Sequence, residues 1–379
     1  MPMVLNEEQR LLRDTANEFL ATNSPVAALR KLRDERDPLG YEPQLWQQMA
    51  ELGWASIILP ETFGGLDFGF LGLGVIMEAC GRTLTASPLF ATAVVGASAV
   101  LLGGSEQQKT ELLPNIAAGK LTLALALEES HHHRPCHIAT TALAQGEGYL
   151  LNGNKTFVLD GHSADKLIVV ARTHSDERDS DGLSLFLVDP MSAGVSCRRS
   201  LMVDNRNAAN LRFEQVQLPP DALIGEAGKG WDILEPVLDR GRVAIAAEMM
   251  GSALEAFERT VAYLKERSQF GALIGSFQAL QHRAAQMQAD IELCRSILLQ
   301  ALSAVDETPE QLPLLASLAK AKLNELAKRV SNEAVQMHGG IGVTDELEIG
   351  FFLKRARVTM QIFGDTGFHR DRYATLSGY

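Results

Sequence analysis

Two short stretches hold the residues best suited to chemistry. QIFGDTGFHR, Gln361 to Arg370, sets Asp365 between Gly364 and Gly367, where a carboxylate either takes a proton or caps the amides of a turn. HHHRPCH, His131 to His137, gathers imidazoles, the commonest metal-ligating side chains. Three adjacent histidines cannot all face one ion from a regular strand, and no nearby Cys/His pair supplies zinc spacing, so no metal is expected. Cys80, Cys136, Cys197 and Cys294 are scattered without a CxxC pair, which argues against a disulfide framework and fits a reducing cytoplasm.

The elements that must position these residues fall into three blocks. In the first third, Leu11, Leu12, Ala16, Phe19 and Leu20 recur at helical spacing, as do Leu45, Trp46, Met49 and Ala50, with Pro60, Gly64, Gly65 and Gly69 breaking the pattern between helices. YLLNGNKTFVLDG, DKLIVVART, LSLFLVDP and NLRFEQVQL then read as short strands divided by turn residues, the pattern of an antiparallel barrel or sandwich. The polar stretch Thr173 to Gly182 is a solvated loop between two of them. From Trp231 the helical period returns: Met250, Leu254, Phe257, Val261 and Leu264 form one stripe, Ile291, Leu298 and Ala301 part of a second, and Leu315, Ala319, Leu323, Leu326 and Val330 a third. Long helices with such wide apolar faces bury one another as a bundle.

Composition agrees. At 379 residues the chain is too long for one ordinary core, and 46% hydrophobic residues are ample to build two or three. A net charge of −12 argues against nucleic-acid or anionic-membrane surfaces and for small-molecule chemistry. The start, MPMVLNEEQRLLRD, is acidic where a signal peptide is basic, and no window approaches 18 uninterrupted apolar residues, so a cytoplasmic protein without a membrane span is expected.

Two segments make the order recognisable. KERSQFGALIGSFQALQHRAAQM, Lys265 to Met287, resembles the R-x-x-F-G…F-Q-x-x-Q segment of the acyl-CoA dehydrogenase family, and AVQMHGGIG, Ala334 to Gly342, resembles its A-x-Q-x-x-G-G-x-G segment. WQQMAELGWASIILPETFGG and LPPDALIG match other family stretches, so the resemblance covers nearly the whole chain. It implies an α+β fold with an N-terminal helical domain over 1–121, a middle β domain over 122–228 and a C-terminal four-helix bundle over 229–379. The implied activity is FAD-dependent α,β-desaturation of an acyl-CoA thioester, in which a carboxylate removes the α-proton and a β-hydride passes to the flavin. An electron-transfer flavoprotein is the implied electron acceptor, and a dimer of dimers the implied assembly.

By the same resemblance, Arg267 approaches the FAD pyrophosphate or adenosine, where a planar cation suits phosphate oxygens. Phe270 and Gln278 contact the adenosine half. Gln336, Gly339 and Gly340 bring a backbone turn close to a partner subunit's FAD, Thr366 joins the cofactor set, and Phe157 supplies an aromatic wall. Asp239 and Arg242 match paired positions beside the substrate pocket. The β domain departs from the pattern: family T-E-P-x-x-G-S-D becomes Leu127 to Arg134 with only Glu128 kept, and W-[IV]-[ST]-N-G becomes Phe157 to Gly161 with Leu159 in place of the hydroxyl. His133 or Arg134 is the remaining donor toward the phosphates.

The family carboxylate belongs at one of two positions, and both are glycine here, Gly241 and Gly364. Three readings follow. Asp365 takes over as base, at the cost of a shorter reach; or the chain is the base-lacking subunit of a heteromer whose related chain bears the glutamate; or it is a non-catalytic acyl-CoA or flavin binding protein. The Gly364 backbone N–H remains able to donate to a thioester carbonyl in each.

Overall fold

The computed structural model describes residues 4–175 and 179–379; Asp176–Arg178, within the polar stretch Thr173 to Gly182, lie outside the described residues. In chain order the helices are α1 (Glu7–Asn23), α2 (Val26–Asp34), α3 (Pro43–Glu51), α4 (Gly69–Thr83), α5 (Ala97–Gly103), α6 (Glu106–Ala117), α7 (Trp231–Glu266), α8 (Gln278–Glu307), α9 (Leu312–His338), α10 (Ile349–Thr359) and α11 (Thr366–Leu376). The strands are β1 (Leu123–Ala126), β2 (Thr141–Gln145), β3 (Gly148–Leu159), β4 (Lys166–Arg172), β5 (Leu183–Val188), β6 (Val195–Leu201), β7 (Asn207–Leu218) and β8 (Leu223–Ile224), then the hairpin β9 (Ser268–Gln269) and β10 (Ala272–Leu273). Helical, sheet and helical blocks thus follow one another along the chain.

These elements form two compact units. Of the described residues, the bundle unit holds 4–35, 69–85 and 242–379, and the sheet unit holds 36–68, 86–175 and 179–241. In the bundle unit α1 starts at a capping box, with Asn6 Oδ1 accepting from Gln9 N at 2.8 Å and Gln9 Oε1 accepting from Asn6 N at 3.0 Å, so two orphan donors are satisfied locally. The apolar stripes close the bundle: Met250, Ile291, Ala319, Leu323 and Val330 are fully buried. Helix α4 comes within backbone contact of α7 because both crossings carry glycine. A Cβ at Gly81 would stand 1.9 Å from Glu248 O, and one at Gly251 1.8 Å from Glu78 O. The two small residues in otherwise helical patterns are therefore packing requirements.

In the sheet unit the strand order is β6-β7-β3-β2-β4-β5-β8, with β1 joined to β4. Most pairings are antiparallel, but β4 takes β1 and β2 in parallel, Leu125 opposite Ile168 and Thr141 opposite Arg172. Alternation packs Ala124, Ala126, Leu167, Val169, Ala171, Phe186, Leu211 and Phe213 into one apolar layer. β3 and β7 slip register between Lys155 and Val158, and Phe157 lies in that irregularity with φ +53°. Such a bulge re-aims a side chain out of the ladder. Among the described residues, no helix is long and apolar enough to cross a membrane.

Candidate functional site

The turn at Phe363–Asp365, between α10 and α11, is where the first question is decided. Asp365 is the N-cap of α11: its Oδ1 accepts from Phe368 N at 2.8 Å, and the residue is exposed. That satisfies one of the four orphan amides at a helix start, the service a Gly-Asp-Thr-Gly sequence performs in turns. Thr366 is the first residue of the helix and half-buried. Gly364 sits one residue upstream at φ +116°, buried, and its N–H makes only a long 3.4 Å bond to Gln361 O.

Beneath that turn lies a buried polar cluster. Lys320 on α9 is fully buried, its Nζ donating to Asn324 Oδ1 at 2.8 Å, Thr359 O at 3.0 Å and Gly364 O at 3.2 Å. Burial pushes its ammonium well below the usual lysine range; the nearby Arg242 charge pushes the same way, and Asp365 opposes. Arg242, also buried, donates its Nε to Phe363 O at 3.1 Å, and His369 Nε2 reaches the same carbonyl at 3.0 Å. Arg242, expected beside the substrate, thus has its Nε engaged with the turn's backbone. Asp239 is 1% exposed, in the part of α7 that belongs to the sheet unit. A signal existed in the sequence: Ser317, Lys320 and Asn324 recur at three- and four-residue spacing inside the apolar pattern of α9, and all three are fully buried.

The expected dinucleotide contacts have the opposite character. Phe270 and Gly271 form the two-residue loop of the β9–β10 hairpin, with φ +54° and +77°, the positive values such tight hairpins require. Arg267 and Gln278 are exposed, and Phe270 is 91% exposed, its ring making an edge contact with Phe277. Gln336 lies on the last turn of α9, and Gly339 and Gly340 follow directly, both exposed. A Cβ at Gly271, Gly339 or Gly340 would meet no atom within 4 Å.

In the sheet unit the loop after β1 is occupied by its own side chains. Leu127 is buried, Glu128 Oε1 holds His133 Nδ1 at 2.5 Å, and Glu129 Oε1 holds Lys155 Nζ at 2.7 Å. Lys155 also donates to Leu127 O at 3.0 Å. Burial lowers Lys155 to about 8 despite the adjacent carboxylate. For Glu129, burial alone would raise the carboxyl, but the Lys155 charge and hydrogen bonds from Lys155, Thr140 and Ala139 hold it below the usual range. His133 therefore faces a carboxylate. Among the described residues, no cluster of three or more His, Cys, Asp or Glu can hold a metal.

Models of the acyl-CoA dehydrogenase N-terminal, middle and C-terminal domains match residues 6–120, 125–216 and 228–375. YngJ, a probable acyl-CoA dehydrogenase of Bacillus subtilis, is 31% identical over 367 residues, 94% of each chain. CarC, a subunit of the caffeyl-CoA reductase-Etf complex of Acetobacterium woodii, is 29% identical over 363 residues, again 94% of each. A solved variant of the Tcur3481-Tcur3483 steroid ACAD aligns over 98% of both chains, at 30% identity and a TM-score of 0.88. The chain belongs to the acyl-CoA dehydrogenase family.

FAD is the cofactor that membership of this family implies, and where bound it would supply the hydride acceptor, which no side chain can. The residues of the bundle unit fit its dinucleotide half: Arg267, Phe270 and Gln278 are presented to solvent, and Gly339 and Gly340 leave their backbone open to close approach. The sheet-unit loop offers the ring fewer hydroxyl donors, since Leu127 and Leu159 stand at the positions where the family pattern has threonine or serine.

Proposed function

We propose that this chain is the base-lacking subunit of a heteromeric acyl-CoA dehydrogenase. It binds flavin through Arg267, Phe270, Gln278, Gln336, Gly339 and Gly340, and a related chain bears the glutamate that removes the α-proton. The complex carries out FAD-dependent α,β-desaturation of a CoA thioester and passes electrons to an electron-transfer flavoprotein. One observation carries the reading: neither base position has a side chain, and Asp365, the carboxylate next to Gly364, is spent on capping α11. A base must lie within hydrogen-bond reach of the proton it takes, and an exposed cap already accepting an amide is poorly placed to do so. The Gly364 N–H and the clamp on its turn survive without the glutamate, so thioester binding is retained where proton abstraction is not.

The test is to purify the chain alone and co-expressed with a glutamate-bearing relative from its genomic neighbourhood, then record flavin spectra with and without an acyl-CoA. The complex is expected to be yellow and to bleach. Bleaching by the chain alone overturns the reading, and loss of that bleaching in Asp365→Asn would make Asp365 the base.

A further inference from the structure

The glycine at position 364 is held from both sides. The Phe363 carbonyl accepts from Arg242 Nε at 3.1 Å and His369 Nε2 at 3.0 Å; the Gly364 carbonyl accepts from Lys320 Nζ at 3.2 Å and Asn324 Nδ2 at 3.5 Å. All four donors are 1% exposed or less, so water does not compete for either acceptor. Because a carbonyl only accepts, His369 carries its proton on Nε2, which fixes the ring's orientation as well as its place. Phe368 packs edge-on against His369, with centroids 5.1 Å apart, and the Arg242 guanidinium lies 5.5 Å from the Phe368 centroid.

With both peptide planes fixed, residue 364 adopts φ +116°, which L side chains rarely tolerate. A Cβ there would stand 2.5 Å from Phe368 Cδ1 and 2.7 Å from His369 Nε2. These are ring atoms of packed side chains, with no flexible end to swing away. Room for a side chain requires both rings to move, and moving His369 gives up its hydrogen bond to Phe363 O.

We propose that the turn is built around glycine, with Phe368 and His369 filling the volume a side chain at 364 needs, so that restoring glutamate there does not by itself restore a proton-abstracting site. His369 is a positioning residue for this turn, and the glycine is a packing requirement. The proposal rests on the functional reading only in taking 364 as a base position; its geometric content stands independently.

Two measurements test it. In the first, thermal midpoints are compared for the co-expressed complex and for complexes carrying Gly364→Ala, His369→Ala or both. Gly364→Ala is expected to lower the midpoint by at least about 3 °C, and the double variant to lose less than the sum of the two single losses, because removing the His369 ring removes one of the two contacts under 3 Å and vacates space into which the Phe368 ring can shift. An unchanged midpoint in Gly364→Ala, or strict additivity, overturns the proposal. In the second, Gly364→Glu is placed in a complex whose glutamate-bearing chain has that glutamate replaced by glutamine. No acyl-CoA-dependent bleaching is expected, and bleaching overturns the proposal. Bleaching by the unaltered chain alone would instead refute the base-lacking reading while leaving the thermal comparison intact.

Discussion

At Gly340 an added Cβ meets no atom within 4 Å, whereas at Gly364 it meets the Phe368 ring at 2.5 Å and His369 at 2.7 Å. Both glycines belong to the bundle unit, and both fall in segments that match family motifs. One turn leaves its backbone bare and exposed after the end of α9, open to a flavin phosphate or a neighbouring chain. The other is buried, its carbonyls claimed by Lys320, Asn324, Arg242 and His369. The contrast separates two uses of glycine. The residue at 340 leaves its backbone open at the surface, and the residue at 364 lets the inside of the chain close.

The contrast is broken most directly at Lys320. Lys320→Met removes the Lys320 donor from the Thr359 carbonyl and leaves the Gly364 carbonyl only the 3.5 Å contact from Asn324 Nδ2 in a dry interior, a loss of about 3 kcal/mol by the cost of unsatisfied buried groups; urea unfolding checks it, and an unchanged midpoint would mean the lysine does not hold the turn. The same residue gives a pH signature. Its folded pKa lies below the ordinary 10.5, so between the two values the unfolded chain binds more protons and stability rises with pH. The gap in urea midpoint between wild type and Lys320→Met is therefore expected to widen from neutral pH toward 10.5 and to narrow below it. A gap that shrinks as pH rises would contradict the lowered pKa.

At the open end the expected effects on folding are small. Phe270→Ala removes an exposed ring and should change stability by no more than about 0.5 kcal/mol, while lowering the fraction of flavin retained through gel filtration. Gly340→Ala should be closer still to neutral in unfolding, since its added methyl meets nothing, and any loss of flavin it causes reads out the close approach of ligand to backbone. A large destabilisation by Gly340→Ala would erase the distinction between the turns.

Much of the architecture was legible along the chain. Period 3.6 in Met250 to Leu264 and in Leu315 to Val330, and short β-rich runs between Tyr149 and Leu218, locate helices and strands because each pattern needs only neighbours a turn or a pleat away. The parallel seating of β4 beside β1 was not legible, because it depends on a crossover whose residues carry no sign of their partner. Nor was the sorting of the first helices, with α1, α2 and α4 in the bundle unit and α3, α5 and α6 in the sheet unit.

The sequence by itself determined the family, the order of helical and sheet blocks, and the absence of a side chain at Gly241 and Gly364. Tertiary structure decided what stands there instead: Asp365 as a helix cap, Arg242 as a donor to the turn's backbone, Lys320 as the buried donor beneath the turn, and Phe368 and His369 in the space a side chain at 364 would need. The division has a physical cause. Residue type and spacing are local, but whether a carboxylate caps a helix or takes a proton, and whether a lysine is wet or dry, depends on atoms within about 3 Å contributed by segments far away in the chain.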